Sequence, residues 1–141
     1  MPTRADLIDL VYDCPVDIAV RLGFDKLTSL HNEWIKDMVF GTDDETIQAH
    51  RGSFKTTCLG ISFAFIIVLF PGLRSMFLRK TDDDVAEVMA ATANVLQTDY
   101  FRGIVRMLYG VELVLTRATQ SSVSTNLKQG VSGAPQLLGL G

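Results

Sequence analysis

An uncharged run of 18 residues, from Thr56 to Leu73, follows a short polar loop that ends in Lys55. This length is at the lower limit for a helix that spans a membrane. Gly60 and Ser62 interrupt the run early and Pro71-Gly72 stops it, so its strictly apolar part is short. A helix that is apolar on all sides is also typical of the interior of an α/β domain. We therefore expect a buried helix, with a small membrane-associated protein as the alternative.

Composition narrows the class of protein further. The 141 residues are enough for one domain with a buried core, and 48% hydrophobic with 21% charged residues is typical of a globular chain. The net charge of −3 does not indicate nucleic-acid binding, so a DNA contact would need a local patch or residues outside this chain. Two cysteines, Cys14 and Cys58, are too few for a disulfide framework, and neither they nor the two histidines have metal-ligand spacing. The N-terminus is polar and does not resemble a signal peptide. We expect a cytoplasmic protein without a membrane partner.

Helix and strand signals alternate along the chain. Two short helices are predicted first, and later segments carry strand patterns, capping residues or an acidic helix start at Thr81-Asp82-Asp83-Asp84. The predicted elements are helices Arg4–Tyr12, Pro15–Leu22 and Leu30–Val39, strand Glu45–Ala49, the apolar helix, strand Ser75–Leu78, helices to about Gln97 and Leu108, and strands Val111–Thr116 and Val123–Asn126. The tail from Lys128 is Gly-rich, with a short apolar patch.

The succession of strand, loop, helix, strand and helix is that of a βαβ unit in an α/β protein. It predicts a parallel sheet flanked by helices, which must cover both faces. About four short strands are too few to complete such a sheet, so we expect an incomplete domain. The chain divides into an N-terminal helical segment, residues 1–41, and the core, residues 42–141.

The loop before the apolar helix has the features of a phosphate-binding loop. Such a loop joins a strand to a helix N-terminus, its backbone N–H groups surround phosphates, and a Lys-Thr pair follows. Lys55-Thr56 supplies this pair, and Gly52 and Ser53 are small. The full pattern places glycine at the positions of Ala49 and Phe54, which depart from it. A polar turn with a surface lysine is the structural alternative.

Four segments, in order, resemble the large terminase subunit of tailed phages. HRGSFKTT, His50–Thr57, is similar to the family's deviant Walker A loop, and FLRKTDDDVAEVM, Phe77–Met89, is similar to its following strand. LHNEWI, Leu30–Ile35, lies where the family has its adenine-side motif. LTRAT, TNLKQG and QLLGLG, within Leu115–Gly141, resemble the region that leads to Walker B. The resemblance extends from about residue 25 to the end of the sequence.

The resemblance implies a nucleotide site with ATP and Mg²⁺. Lys55 would contact the β- and γ-phosphates, Thr56 would bind Mg²⁺, and Arg51 would act on the γ-phosphate. His31 would read adenine, while Trp34 is better explained by packing on the core. The implied nucleotide-binding residues are His31, Ala49, His50, Arg51, Gly52, Ser53, Phe54, Lys55, Thr56 and Thr57.

The resemblance also implies a RecA-like P-loop NTPase fold and a function. In these motors ATP hydrolysis drives double-stranded DNA into the capsid, with a portal protein, a small terminase subunit and possible homo-oligomers as partners. Walker B and the nuclease domain would lie beyond residue 141, so we expect this chain alone to be a poor ATPase. The alternatives are another P-loop NTPase, such as a helicase-like one, and an inactive prophage remnant. Arg79 and Lys80 are either a DNA or nucleotide contact or a solvated strand end.

Overall fold

The computed structural model describes residues 27–40, 55–72, 74–78, 82–128 and 135–140, together with Asp9 and Asp13. Four helices and four strands lie in this part of the chain, which confirms the α/β class. They are α1 (Ser29–Phe40), α2 (Lys55–Leu69), β1 (Ser75–Leu78), α3 (Asp82–Leu96), α4 (Asp99–Tyr109), β2 (Leu115–Ala118), β3 (Ser122–Thr125) and β4 (Leu137–Leu140). The predicted strand Glu45–Ala49 and, apart from Asp9, the predicted helices before residue 27 lie outside the described residues.

The apolar run forms α2, which is buried in the middle of the helical layer. It contacts α1 on one side and α3 on the other, and the ring of Phe65 lies 5.3 Å from that of Phe101 on α4. The hydroxyl of Ser62, a polar residue within this apolar helix, has hydrogen-bond partners. It lies 2.7 Å from the Cys58 carbonyl oxygen and 3.4 Å from Met38 Sδ. Because other elements of the protein pack around α2, its sequence has no polar face.

Local signals define α4 at both ends. Thr98 is its N-cap and accepts a hydrogen bond from the Phe101 N–H, while Gly110 ends it in the left-handed conformation at φ 70°. Both residue types are favoured at these positions, since threonine supplies an acceptor and glycine has no Cβ to clash. The buried stripe at helical spacing consists of Phe101, Ile104, Val105 and Leu108. The predicted end, at about Leu108, is therefore confirmed to within one residue.

The sheet is mixed, with strand order β1-β4-β3-β2. β1 and β4 are parallel, whereas β4 with β3 and β3 with β2 are antiparallel. The prediction of a parallel sheet thus holds for one pair of the described strands. The difference arises because β2 and β3 form a hairpin, which joins antiparallel neighbours by a short turn.

One strand prediction was wrong in its bounds, and one strand of the structure was not predicted. Val111–Thr116 was predicted as a strand, but β2 begins only at Leu115, because the Val114 N–H donates to the Asn126 side chain, 3.0 Å away. β4 was not predicted, since four apolar residues in a Gly-rich tail carry no periodic signal. Its pairing with β1, Ser75 opposite Leu137, defines it instead.

One face of the parallel pair is covered by α3. A Cβ on Gly139 of β4 would lie 2.3 Å from Val85 Cγ1 and 3.1 Å from Met89 Cε, so α3 packs on backbone at this position. Residues of the opposite face are more open, with Met76 63% and Leu78 68% exposed. Helices were expected on both faces of the parallel strands. Among the described residues, helices cover one of these faces.

The contact between α2 and α3 is close because Gly60 has no side chain. A Cβ at Gly60 would lie 2.9 Å from the Ala91 Cβ and 3.2 Å from the Ala91 backbone carbonyl carbon. Neither atom belongs to a flexible side chain that could rotate away. The two helices would have to separate to admit even a methyl group.

We predict that Gly60→Ala destabilises the protein although alanine is the better helix former. Overpacking costs about 1–3 kcal/mol and the gain in helix propensity is about 1 kcal/mol, so the free energy of unfolding should fall by about 1 kcal/mol. Gly103→Ala in α4 is the matched control, because nothing lies within 4 Å of a Cβ at that position. The control should gain about 1 kcal/mol. Urea unfolding followed by circular dichroism measures both, and equal stabilisation by the two changes would contradict the close contact.

Candidate functional site

The Lys-Thr pair singled out in the sequence opens α2. Lys55 is the first residue of the helix, and Thr56 and Thr57 are half-buried in its first turn. The first N–H groups of a helix have no partner within it, and the helix dipole places partial positive charge there. This first turn contains no acidic residue. Its composition and backbone therefore suit an anion.

The start of α2 lies at the edge where the parallel strands end. The C-terminal end of α2 contacts Gln136, which directly precedes β4, and α2 is joined to the start of β1 by residues 70–74. Further up the helix, the ring of Phe63 contacts that of Phe77, at 5.6 Å between centroids. The helix thus runs antiparallel to β1, so its first residue, Lys55, lies on the carboxyl side of the pair.

A second helix begins at the same edge. α3 follows the last residue of β1 after only three residues, 79–81, and Val85 in its first turns contacts Gly139 near the end of β4. In open α/β sheets, ligands bind outside the carboxyl ends of the strands, and phosphates bind at helix N-termini. The acidic run at Asp82 opens α3, as predicted from its capping pattern.

The opposite end of α2 is held by side chains from distant parts of the chain. The last carbonyls of a helix lack partners within it. The Tyr109 hydroxyl donates to the Val68 carbonyl, and Gln136 Nε2 donates to the carbonyls of Ile67 and Pro71, at 3.4 and 3.3 Å. These contacts fix α2 along its axis relative to the sheet.

Gln136 is a buried residue that sequence analysis missed. It is 1% exposed, and its Oε1 accepts hydrogen bonds from the Thr125 N–H and hydroxyl at 2.9 and 2.8 Å. Its own N–H donates to the Ser124 hydroxyl at 3.0 Å. Both ends of the amide are therefore used, as buried polar groups require. The sequence feature that could have indicated the role of Gln136 is its place as a lone polar residue directly before an apolar patch.

His31, predicted to read adenine, takes part in capping its own helix. It is 7% exposed, and its Nδ1 accepts a hydrogen bond from the Thr28 N–H at 2.9 Å. Thr28 precedes α1, so this is the backward bond of a capping box, with histidine in the place of glutamate. Trp34 packs edge-on against the imidazole, 5.1 Å between centroids, and against the core. The prediction that Trp34 packs on the core is confirmed.

The remaining predicted site residues fall into two groups. The backbone of Lys55, Thr56 and Thr57 is described, and the three lie together at the start of α2. The others lie outside the described residues, namely Ala49, His50, Arg51, Gly52, Ser53 and Phe54. Arg79 and Lys80 also lie outside them. The predicted roles of these residues remain predictions.

Metal-binding clusters and membrane-spanning helices are both absent from the described part of the chain. It contains no group of three or more histidine, cysteine or acidic side chains that could hold a metal ion. Thr56 as a Mg²⁺ ligand thus remains a prediction. No helix among the described residues is long and apolar enough to cross a membrane, and α2 has 15 residues.

A charged cluster lies on the surface of α4. Arg106 donates to both carboxylate oxygens of Glu112 at 3.1 and 3.2 Å, and Arg102 lies 3.8 Å from Glu112. The hydrogen bond from Arg106, and then its charge, hold the pKa of Glu112 below its ordinary value. All three groups are solvent-exposed, and such pairs contribute little to stability. This cluster is far along the chain from the loop and is a surface feature of the α4–β2 connection.

Comparison with protein-family models, curated proteins and solved structures gave no match.

We predict that Gln136→Leu destabilises the protein by about 3 kcal/mol. The leucine would bury a side chain of similar size but leave the Thr125 N–H and the carbonyls of Ile67 and Pro71 without their partner, at about 1–3 kcal/mol for each buried group. Gln97→Leu is the control, because Gln97 is exposed in the turn after α3. Urea unfolding gives the difference between the two variants. Similar stabilities would show that the buried amide does not hold the end of α2.

Proposed function

We propose that this chain is the ATP-binding part of a phage large terminase subunit, the motor that packages double-stranded DNA. The main support is the position of Lys55 as the first residue of α2, at the carboxyl edge of the parallel strands. A phosphate-binding loop needs its lysine there, directly after the loop and at the positive end of the helix. The sequence HRGSFKTT supplies the remaining support through its resemblance to the family's Walker A loop.

The proposed roles follow from the chemistry of phosphates. Lys55 neutralises the β- and γ-phosphates, and the hydroxyl of Thr56 is a ligand of Mg²⁺. The backbone N–H groups of residues 49–54 surround the phosphates, and Arg51 contacts the γ-phosphate. Hydrolysis also requires acidic residues that hold the metal ion and orient water. Nucleotide binding is therefore the activity that tests this proposal.

The wider role is proposed from the family resemblance alone. ATP hydrolysis in the complete motor would move double-stranded DNA through a portal protein in the host cytoplasm, together with a small terminase subunit. Because the net charge of the chain is −3, a DNA contact would need a local basic patch or residues outside this sequence. A homo-oligomer belongs to the same proposal.

We predict that Lys55→Ala removes most of the affinity for ATP–Mg²⁺. Hydrogen bonds to charged groups are worth about 1.5–3 kcal/mol each, which corresponds to a loss of roughly 10- to 100-fold. Calorimetry with the complete chain measures the affinity. Lys128→Ala is the charge-matched control, because Lys128 follows the hairpin strand β3 and not the loop. The control should bind as the parent chain does.

A folding control accompanies this experiment. Burial raises the pKa of the Cys58 thiol in α2 to about 11, so at pH 8 the thiol is protonated and shielded in the folded protein. In a Cys14→Ser background, Cys58 should react with a thiol reagent only after unfolding, in both lysine variants. Equal ATP affinity in Lys55→Ala and the parent chain would reject the proposed phosphate-binding loop. Such a result would leave a polar turn with a surface lysine.

A further inference from the structure

A small cavity lies between the turn that joins α3 to α4 and the segment that leads into β2. Its volume is about 260 Å³, just below the roughly 300–1,000 Å³ of typical small-molecule sites, so a ligand that fits it is smaller than a drug-sized molecule. None of the lining residues belongs to the proposed nucleotide site, and this inference does not rest on the proposed function. The cavity is lined by Leu96, Gln97, Arg102, Leu113, Val114 and Leu115.

The apolar wall of the cavity is held in place by the core and by hydrogen bonds. It consists of Leu96, Leu113 and Leu115, and the first two are part of the buried core. The Asn126 side chain accepts from the Val114 N–H at 3.0 Å and donates to the carbonyl of the residue before Leu113 at 2.7 Å. A cavity with fixed walls binds a ligand at a smaller entropy cost than a flexible surface does.

Arg102 supplies the cavity with a positive charge and with hydrogen-bond donors. Its Nη2 lies 3.8 Å from Glu112 Oε1, which is beyond hydrogen-bond distance. The two oxygens of Glu112 accept from Arg106 instead, at 3.1 and 3.2 Å. No closer acceptor for the Arg102 guanidinium lies in the described part of the chain. A guanidinium has donors in a planar fork, and this fork matches a carboxylate with two parallel hydrogen bonds.

We propose that this cavity binds a small organic carboxylate, with the carboxylate on Arg102 and a short chain or a single ring against the leucine wall. The charge of Arg102 selects an anion, and the planar fork suits a planar carboxylate. The leucines favour an apolar group beside this anion, which inorganic phosphate lacks. Because so small a ligand makes few contacts, its dissociation constant is on the order of 1 mM.

Benzoate is the probe, because it joins a carboxylate to a single ring. Its titration into the isotope-labelled complete chain, followed by amide NMR shifts, should give saturable shifts at the lining residues. Benzamide has nearly the same shape without the charge and should bind about tenfold more weakly, since it loses a charged hydrogen-bonded pair. Inorganic phosphate has charge without a ring and should also bind at least about tenfold more weakly.

Variants of the charged residues test the role of Arg102. Arg102→Gln should weaken benzoate binding by about tenfold. Arg117→Gln is the charge-matched control, because Arg117 is exposed on β2 and does not line the cavity, and it should bind as the parent chain does. Glu112→Gln removes a negative charge close to Arg102 and should tighten binding by about threefold. The amide spectrum of each variant also shows whether it is folded.

Three results would overturn the proposal. The first is a folded chain in which benzoate gives no saturable shifts at the lining residues. The second is equal affinity for benzoate in the Arg102→Gln and Arg117→Gln variants, which would mean that Arg102 does not hold the carboxylate. The third is benzamide or inorganic phosphate binding as tightly as benzoate, because the cavity would then not recognise a carboxylate joined to an apolar group.

Discussion

The packing of α2 in the middle of the helical layer determines where the rest of the described structure can lie. At Gly60 the two helices α2 and α3 approach so closely that a methyl group has no space, and α3 in turn packs on the backbone of β4 at Gly139. Two glycines therefore allow close packing, Gly60 between α2 and α3 and Gly139 between α3 and the sheet. Since densely packed interiors transmit displacement, a shift of α2 would also move α3 and β4.

The polar groups at the ends of α2 are used in different ways. Its last carbonyls are bound by Tyr109 and Gln136, and Gln136 also binds β3 through Thr125. These contacts hold the C-terminal end with side chains of the protein itself. The first turn, by contrast, begins with Lys55 and two threonines and carries no acidic residue that would neutralise its dipole. A helix anchored at one end and positive at the other is well suited to hold an anion in a constant position.

Local signals in the sequence predicted most of the helices. The end of α4 was predicted near Leu108, and the acidic run at Asp82 predicted the start of α3. Ser75–Leu78 was predicted as a strand because it is apolar between breakers. The sheet was less predictable, because β4 owes its existence to pairing with β1 over a separation of about 60 residues. Gln136 was missed for the same reason, since its partners Ile67 and Thr125 are brought to it only by the fold. A phosphate-binding loop at Lys55 was predicted from a short motif, and the structure adds that Lys55 is the first residue of a helix.

His31 shows that one position in a sequence can support two different interpretations. Its place in LHNEWI suggested a residue that reads adenine, but the same spacing, Thr28 followed three residues later by a hydrogen-bond acceptor, is also that of a capping box. The local interaction requires no ligand and satisfies a backbone N–H at the start of α1, and the geometry gives Nδ1 to it.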